Sequence, residues 1–296
     1  MLTPKHITTM KTSIKTILFL VLVSLSACQK EENVTPTPTP TPTPTKPDYT
    51  NQTQVANQSA VMSSAMYDMV VTVDDAMDEN LDGIPNARIG ASCGTVKLDK
   101  ANKSVSIDYG SGCESRTGTQ KKGKITVKYT GDPKVGAGQT WSVTFEGYSI
   151  ESYAINGSVS VSYTYKKDIN GFQASVSGAN VSVSDGKKSL SLTELNLGVV
   201  ISMGTKPKDN ADNETKMTGT MKGKNGDNQD FAAEISQELL FKGACTESKN
   251  YIPTSGLMKA SVSGLTASAD FSAGSGDCNR TVKITYPNGD TETKDL

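Results

Sequence analysis

From Gly94 almost to the end of the chain, apolar residues return at every second position, which confines this stretch to sheet with one buried face. Val159, Val161, Tyr163 and Tyr165 share one side of a strand while Ser160, Ser162 and Thr164 share the other, the pattern of an antiparallel sheet that is dry on one side and wet on the other. Similar patterning marks strands over 94–98, 104–109, 124–129, 141–145, 158–165, 172–176, 181–184, 190–192, 195–203, 216–221, 231–241, 257–262, 266–271 and 281–286. The connections are short. Asp185-Gly186, Asn225-Gly226-Asp227 and Pro287-Asn288-Gly289-Asp290 preset a turn or tolerate positive φ, so consecutive strands are expected to pair as a meander.

So many strands cannot lie flat and still bury their apolar face. Apolar parity slips between Phe145 and Tyr148, beside Gly147, and again between Ile150 and Tyr153, and bulges at both places would bend the sheet. One helix is available as a cover. Over 54–77, Val55, Met62, Met66, Met69, Val70, Val73 and Met77 recur at the three- and four-residue spacing of a single helical face. The expected fold is mainly β: a curved antiparallel meander, either an open barrel or sandwich-like, with one long N-terminal amphipathic helix on its concave side.

Upstream of the sheet the chain reads as an address. Lys11 and Lys15 precede a short apolar run that ends at Leu25-Ser26-Ala27-Cys28. At about ten residues the run fits a signal peptide and falls well short of the ~20 that span a bilayer. The start site is either Met1 or Met10. Leu25-Ser26-Ala27-Cys28 resembles the lipobox of bacterial lipoproteins, which implies that residues 1–27 are a removed signal and that Cys28 carries acyl chains. Gln29-Lys30-Glu31-Glu32 is similar to the surface-export signal of Bacteroidota lipoproteins. The resemblance to uncharacterised surface lipoproteins of that group extends to Cys93-Gly-Thr-Val-Lys-Leu-Asp99, Ser106-Ile-Asp-Tyr-Gly110, the segment 122–131 and the hairpin ending at Cys278. It implies a fold and a place, the outer membrane with the body facing outward, and brings no catalytic residue.

Five Thr-Pro pairs over 35–44 cannot form helix or sheet. As polyproline II, residues 33–48 would make a stalk of up to about 50 Å. The organisation expected is therefore signal 1–27, anchor and stalk 28–48, and one globular domain over 49–296, with the helix at 54–77 and the β-rich part over 93–296. A monomer is expected, held to the membrane through lipid at Cys28.

The other cysteines are Cys93, Cys113, Cys245 and Cys278. An even count in an exported chain argues for disulfides, whereas C-x-x-C metal spacing is missing and the only histidine, His6, lies in the signal. Three pairings are open. Cys93 with Cys113 and Cys245 with Cys278 is the expected one, since each pair brackets a hairpin and closes a shorter loop.

Removing residues 1–27 takes away Lys5, Lys11 and Lys15 and leaves 27 Lys and Arg against 31 Asp and Glu, a side-chain charge of −4. With no basic run and only Arg88, Arg116 and Arg280, nucleic acid is not expected as a partner. Gly90-Ala-Ser92-Cys93-Gly94 matches G-x-S-x-G but has no histidine base and sits before a strand. Ser184-Asp-Gly-Lys187 matches S-x-x-K yet lies in a turn between strands. Asp78-Glu-Asn-Leu-Asp82-Gly83 resembles the first half of an EF-hand loop, but the twelfth position is Ile89 rather than an acid. No catalytic residue, metal ligand or cofactor is assigned.

The function expected is a non-enzymatic binding or structural role at the cell surface, with a glycan or protein ligand on the curved sheet. One alternative is a glycan-binding accessory lipoprotein that stacks sugars on Trp141, Tyr148, Tyr153, Tyr163 and Tyr165. The other is an enzyme acting on polysaccharide through two facing carboxylates drawn from Glu146, Glu151, Asp168, Glu194 and Glu234.

Overall fold

A helix, α1, runs from Thr50 to Asp82, and the described strands that follow build one sheet around it. The computed structural model describes residues 47–82, 93–115, 118–131, 138–205, 210–247, 251–274, 278 and 280–295. Cys28 and the Thr-Pro stalk lie outside the described residues, apart from Pro47 and Asp48 at the stalk's end. Residues 47–296 form one compact unit.

The strands are β1 (Thr95–Asp99), β2 (Ser104–Asp108), β3 (Cys113–Glu114), β4 (Gln120–Thr130), β5 (Gln139–Ile150), β6 (Tyr153–Lys166), β7 (Gly171–Gly178) and β8 (Val181–Ser184). They continue with β9 (Ser189–Ser202), β10 (Glu214–Lys224), β11 (Asp230–Lys242), β12 (Ser255–Val262), β13 (Leu265–Asp270), β14 (Thr281–Thr285) and β15 (Thr291–Asp295), with a short helix α2 (Gly243–Glu247) after β11. All pairings are antiparallel. The order is a meander, β1-β2-β4-β5-β6-β7-β9-β10-β11-β12-β13-β14-β15, with β3 beside β4 and β8 bridging β6 and β9. The period-two reading located most of these strands, since each alternates a buried with a wet residue. It missed β3, which is two residues long, and β15, whose side chains are nearly all exposed and carry no alternation.

Four expectations are corrected. The helix extends over 50–82 rather than 54–77. The segments 190–192 and 195–203 are one strand, β9, whose parity changes at a register shift opposite Lys222 and Gly223. Ile150 and Tyr153 face each other across a two-residue turn, where Glu151 takes φ +50°, so that slip is a hairpin and not a bulge. Tyr165, at the end of β6, turns outward and is 39% exposed.

The slip at Phe145/Tyr148 is a bulge, as the parity required. Gly147 has φ +59°, and facing it on β4 is Gly123 with φ +76°, where an added Cβ would lie 2.1 Å from the Gly147 carbonyl oxygen. Only glycine fits that crossing. Tyr148 and Ile150 consequently point inward beyond the bulge, as Phe145 does before it.

The helix is not amphipathic in the expected sense of one dry and one wet face. Gln52, Gln58, Ser59, Ser63, Ser64, Thr72 and Asp75 are buried along with Val55, Met62, Met66, Met69, Val70 and Val73. The sheet curls around the helix, which meets β2 near one end of the strand order and β13 near the other, as well as β8, β9, β11 and β12. At ~1.5 Å per residue a helix of 33 residues is about 50 Å long, comparable with a strand of 14 residues at ~3.3 Å each. One helix can therefore fill the interior of such strands along their length.

Two walls line that interior. On β11, β12 and β13 the buried row is Ala233, Ala260 and Ala267 in direct register. Gln52 donates from Nε2 to the Val262 carbonyl at 3.4 Å. Ala56, Ser59 and Ser63 share its helix face by three- and four-residue spacing, so small residues meet small residues. On β4, β5 and β6 the space is filled by Tyr129, Trp141, Phe145, Tyr148 and Tyr163. Trp141 and Tyr163 stack with ring centroids 4.6 Å apart, and Phe145 and Tyr148 at 5.6 Å.

Candidate functional site

The polar groups of the interior gather where α1 meets the aromatic wall. Lys121 on β4 shares inward parity with Ile125, Val127 and Tyr129, and its side chain is 1% exposed. Its Nζ donates to Asp68 Oδ1 at 2.8 Å and to Thr72 Oγ1 at 3.4 Å, both one turn apart on α1. The Tyr148 hydroxyl, aimed inward by the Gly123/Gly147 crossing, donates to Asp68 Oδ2 at 3.2 Å. Lys121 also lies 5.5 Å from the centroid of the Tyr109 ring. Further along the helix the Tyr163 hydroxyl donates to Asp74 Oδ1 at 2.6 Å.

Burial, reinforced by the negative charge of Asp68, pushes the Tyr148 and Tyr109 phenols well above their ordinary range. Burial does the same to Tyr67, which stacks on Phe241 with centroids 4.5 Å apart. These phenols stay protonated and cannot serve as bases near neutrality. The arrangement ties a helix to a wall. A buried ion pair has little net stabilising effect against an apolar pair of the same shape, but it fixes the register of the elements it joins because breaking it strands a charge.

The N-terminal end of α1 is tied to several hairpin turns. Asn51 donates to Gln229 Oε1 at 2.8 Å, Lys188 Nζ donates to Asn51 Oδ1 at 3.2 Å and to Asp227 Oδ2 at 3.1 Å, and Gln58 Nε2 donates to the Lys188 carbonyl at 3.0 Å. Tyr49 stacks on Tyr286 at 5.1 Å. Beside this end, an open cleft of about 550 Å³ is lined by Asn228, Gln229, Asp230, Phe231, Ser261 and Ser263 among others.

The expected disulfides are present, Cys93 to Cys113 and Cys245 to Cys278. Cys93, the fourth residue of the G-x-S-x-G match, is thereby a crosslink, and residues 90–92 lie outside the described set. Asp78 to Asp82 continue the helix where the calcium comparison needs a loop. Residues 83–89 lie outside the described set. Ser184 and Lys187 belong to the β8–β9 turn, in which Ser184 Oγ donates to the Lys188 carbonyl. Among the described residues no three acids, cysteines or histidines gather as a metal site. No described helix is long and apolar enough to cross a membrane.

The aromatic residues named for glycan stacking are mostly interior: Trp141, Tyr148 and Tyr163 are buried, Tyr153 is half-buried and Tyr165 is exposed. The named carboxylates lie on the outside. Glu146 meets Lys124 and Thr126, Glu194 meets Lys222 and Asn196, Glu151 accepts from the Gln120 amide, and Asp168 and Glu234 are exposed. The structure brings no two of these five together.

Sequence reading missed Asp68, Thr72 and Lys121. The signal was there for Lys121, because extending the parity of Tyr129, Val127 and Ile125 back through Gly123 reaches it. Asp68 carries no such mark, since its partner comes from a strand 53 residues away.

No protein-family model matches the chain, and neither does any curated protein or solved structure.

Proposed function

We propose that this chain is an exported lipoprotein, anchored through Cys28 to the outer membrane and facing outward, whose body has a binding or structural role and no catalytic one. The observation that carries the reading is the pair of disulfides in a chain that begins with a lipobox-like address, because stable disulfides belong to oxidising compartments outside the cytoplasm. The division of labour in the body fits it. The interior is filled by α1 and packed side chains, so contact with a partner falls to the outer face. That face is rich in hydroxyls, with Thr130, Thr140, Ser162 and Ser175 in register across β4, β5, β6 and β7. Two acyl chains or more would hold it firmly, at ~0.8 kcal/mol per buried methylene.

The test is mass spectrometry of the native protein together with protease treatment of intact cells. The expected result is a terminus at an acylated Cys28 and digestion of the body before the outer membrane is breached. An unmodified terminus, or a Cys28 that keeps its upstream peptide, overturns the reading.

A further inference from the structure

The lysines of this sheet are of two kinds. On β10 to β14, Lys222, Lys224, Lys259 and Lys283 each stand in register opposite a carboxylate, respectively Glu194, Asp230, Glu234 and Asp270. Lys222 and Lys224 close to 3.1 Å and 2.7 Å, and Lys216 reaches Glu238 at 3.2 Å. On β1 and β4, Lys124 keeps to the rule, opposite Asp108 and Glu146, but the other exposed lysines do not. Lys97 stands opposite Ser106, Lys128 opposite Ser104 and Ser142, and Lys122 opposite Ser149. All three are exposed, and Lys100 and Lys103 in the β1–β2 turn add two more exposed ammonium groups.

The carboxylates on β1, β2 and β5 beside this patch are already engaged. Asp99 accepts from the Asn102 amide and side chain, Asp108 from the Gly110 amide, and Glu146 from Thr126 beside the one lysine it pairs, Lys124. Protecting a sheet edge explains Lys97 on the outermost strand. It does not explain Lys122 and Lys128, because β4 is paired on both sides. Lys97, Lys122 and Lys128 therefore give this face positive charge that no carboxylate in register with them neutralises.

We propose that the outer face of β1, β2 and β4 binds an acidic polysaccharide, carboxylated or sulfated. This rests on the outward display proposed above. With strands ~4.8 Å apart and side chains on one face ~6.8 Å apart along a strand, Lys97 and Lys128 flank Ser104, Ser106 and Thr126, and Lys122 continues the row along β4 beyond Lys124, about 20 Å from Lys128. Ammonium groups meet the polymer's anions and the hydroxyls between them meet its hydroxyls. A membrane surface fits less well, since interfacial tryptophan or tyrosine does not accompany these lysines. Nucleic acid fits less well too, since no described arginine and no stacking ring lies among them.

The experiment measures binding of the purified full-length Cys28→Ser variant, which carries no lipid, to polygalacturonate, dextran sulfate, neutral dextran, phosphatidylglycerol vesicles and duplex DNA, at low and high salt. The expected result is binding to one or both acidic polymers, none to neutral dextran, and weakening with salt. The triple variant Lys97→Glu, Lys122→Glu and Lys128→Glu loses about tenfold or more in affinity, while Lys216→Glu, Lys222→Glu and Lys259→Glu, with the same change in net charge, loses less than about twofold. If the first triple variant fails to fold, Lys97→Ser, Lys122→Ser and Lys128→Ser is read in its place. Equal loss in the two triple variants, absence of polymer binding at low salt, or tighter binding of vesicles or DNA each overturns the proposal. Because binding is read on purified protein, its failure is separate from failure of surface display.

Discussion

The alanine wall and the aromatic wall hold the same helix by opposite means. On β11 to β13 the row Ala233, Ala260 and Ala267 lets the helix come close, so what stabilises that side is the absence of bulk. On β4 to β6 the helix is reached by Tyr148, Tyr163 and Lys121, whose polar tips end on Asp68 and Asp74, while Trp141 fills the wall beside them with its indole N–H on Gln139, so the stabilisation comes from large side chains. One side tolerates no additions and the other no losses. A sheet that surrounds a helix needs this asymmetry, because a helix placed off-centre leaves a narrow gap on one side and a wide one on the other.

The largest effect that sharpens the contrast is alkaline unfolding. The folded state raises the phenols of Tyr67, Tyr109 and Tyr148 above the 10.0 of a free tyrosine. It therefore holds those protons more tightly than the unfolded chain does, and stability is intact below about pH 10 and falls as pH rises above it. Phenolate absorbance of these rings should appear together with loss of the circular dichroism of the sheet. A smooth titration of all tyrosines in a folded protein would break the picture.

Next in size, Trp141→Ala should cost about 3–5 kcal/mol in urea denaturation, since it opens a cavity on the wide side. Asp68→Ala should cost about 3 kcal/mol, because Lys121 stays buried without its carboxylate. Adding Lys121→Met should recover most of that loss, which a purely additive pair would not do. Smallest is Ala260→Leu, which adds apolar volume yet should destabilise by about 1–3 kcal/mol. A stabilised Ala260→Leu would mean that the narrow side holds spare room, and the comparison would fail.

The alternation after Gly94 made the antiparallel meander legible, and the parity slip beside Gly147 made the bulge legible, because both are local. The cysteine pairing followed from loop length. The enclosure of α1 was not legible, because serines and glutamines on a helix read as a wet face unless the curvature of the sheet is known. The interior cluster was hidden for the same reason: Lys121 and Asp68 each look like surface charges until the fold turns them toward each other. The lysine face was hidden because no two of Lys97, Lys122 and Lys128 are adjacent in sequence, and only strand register puts serines where acids would otherwise stand.

The bond from Gln52 to Val262 joins residues 210 positions apart. The helix, which precedes every strand, is thus sealed in only after β12 and β13 have emerged, so the topology defers closure until most of the sheet exists. Contacts of such long range slow folding. If the chain is exported as proposed, such late collapse leaves it extended enough to be threaded through a translocation channel before it becomes too wide to pass.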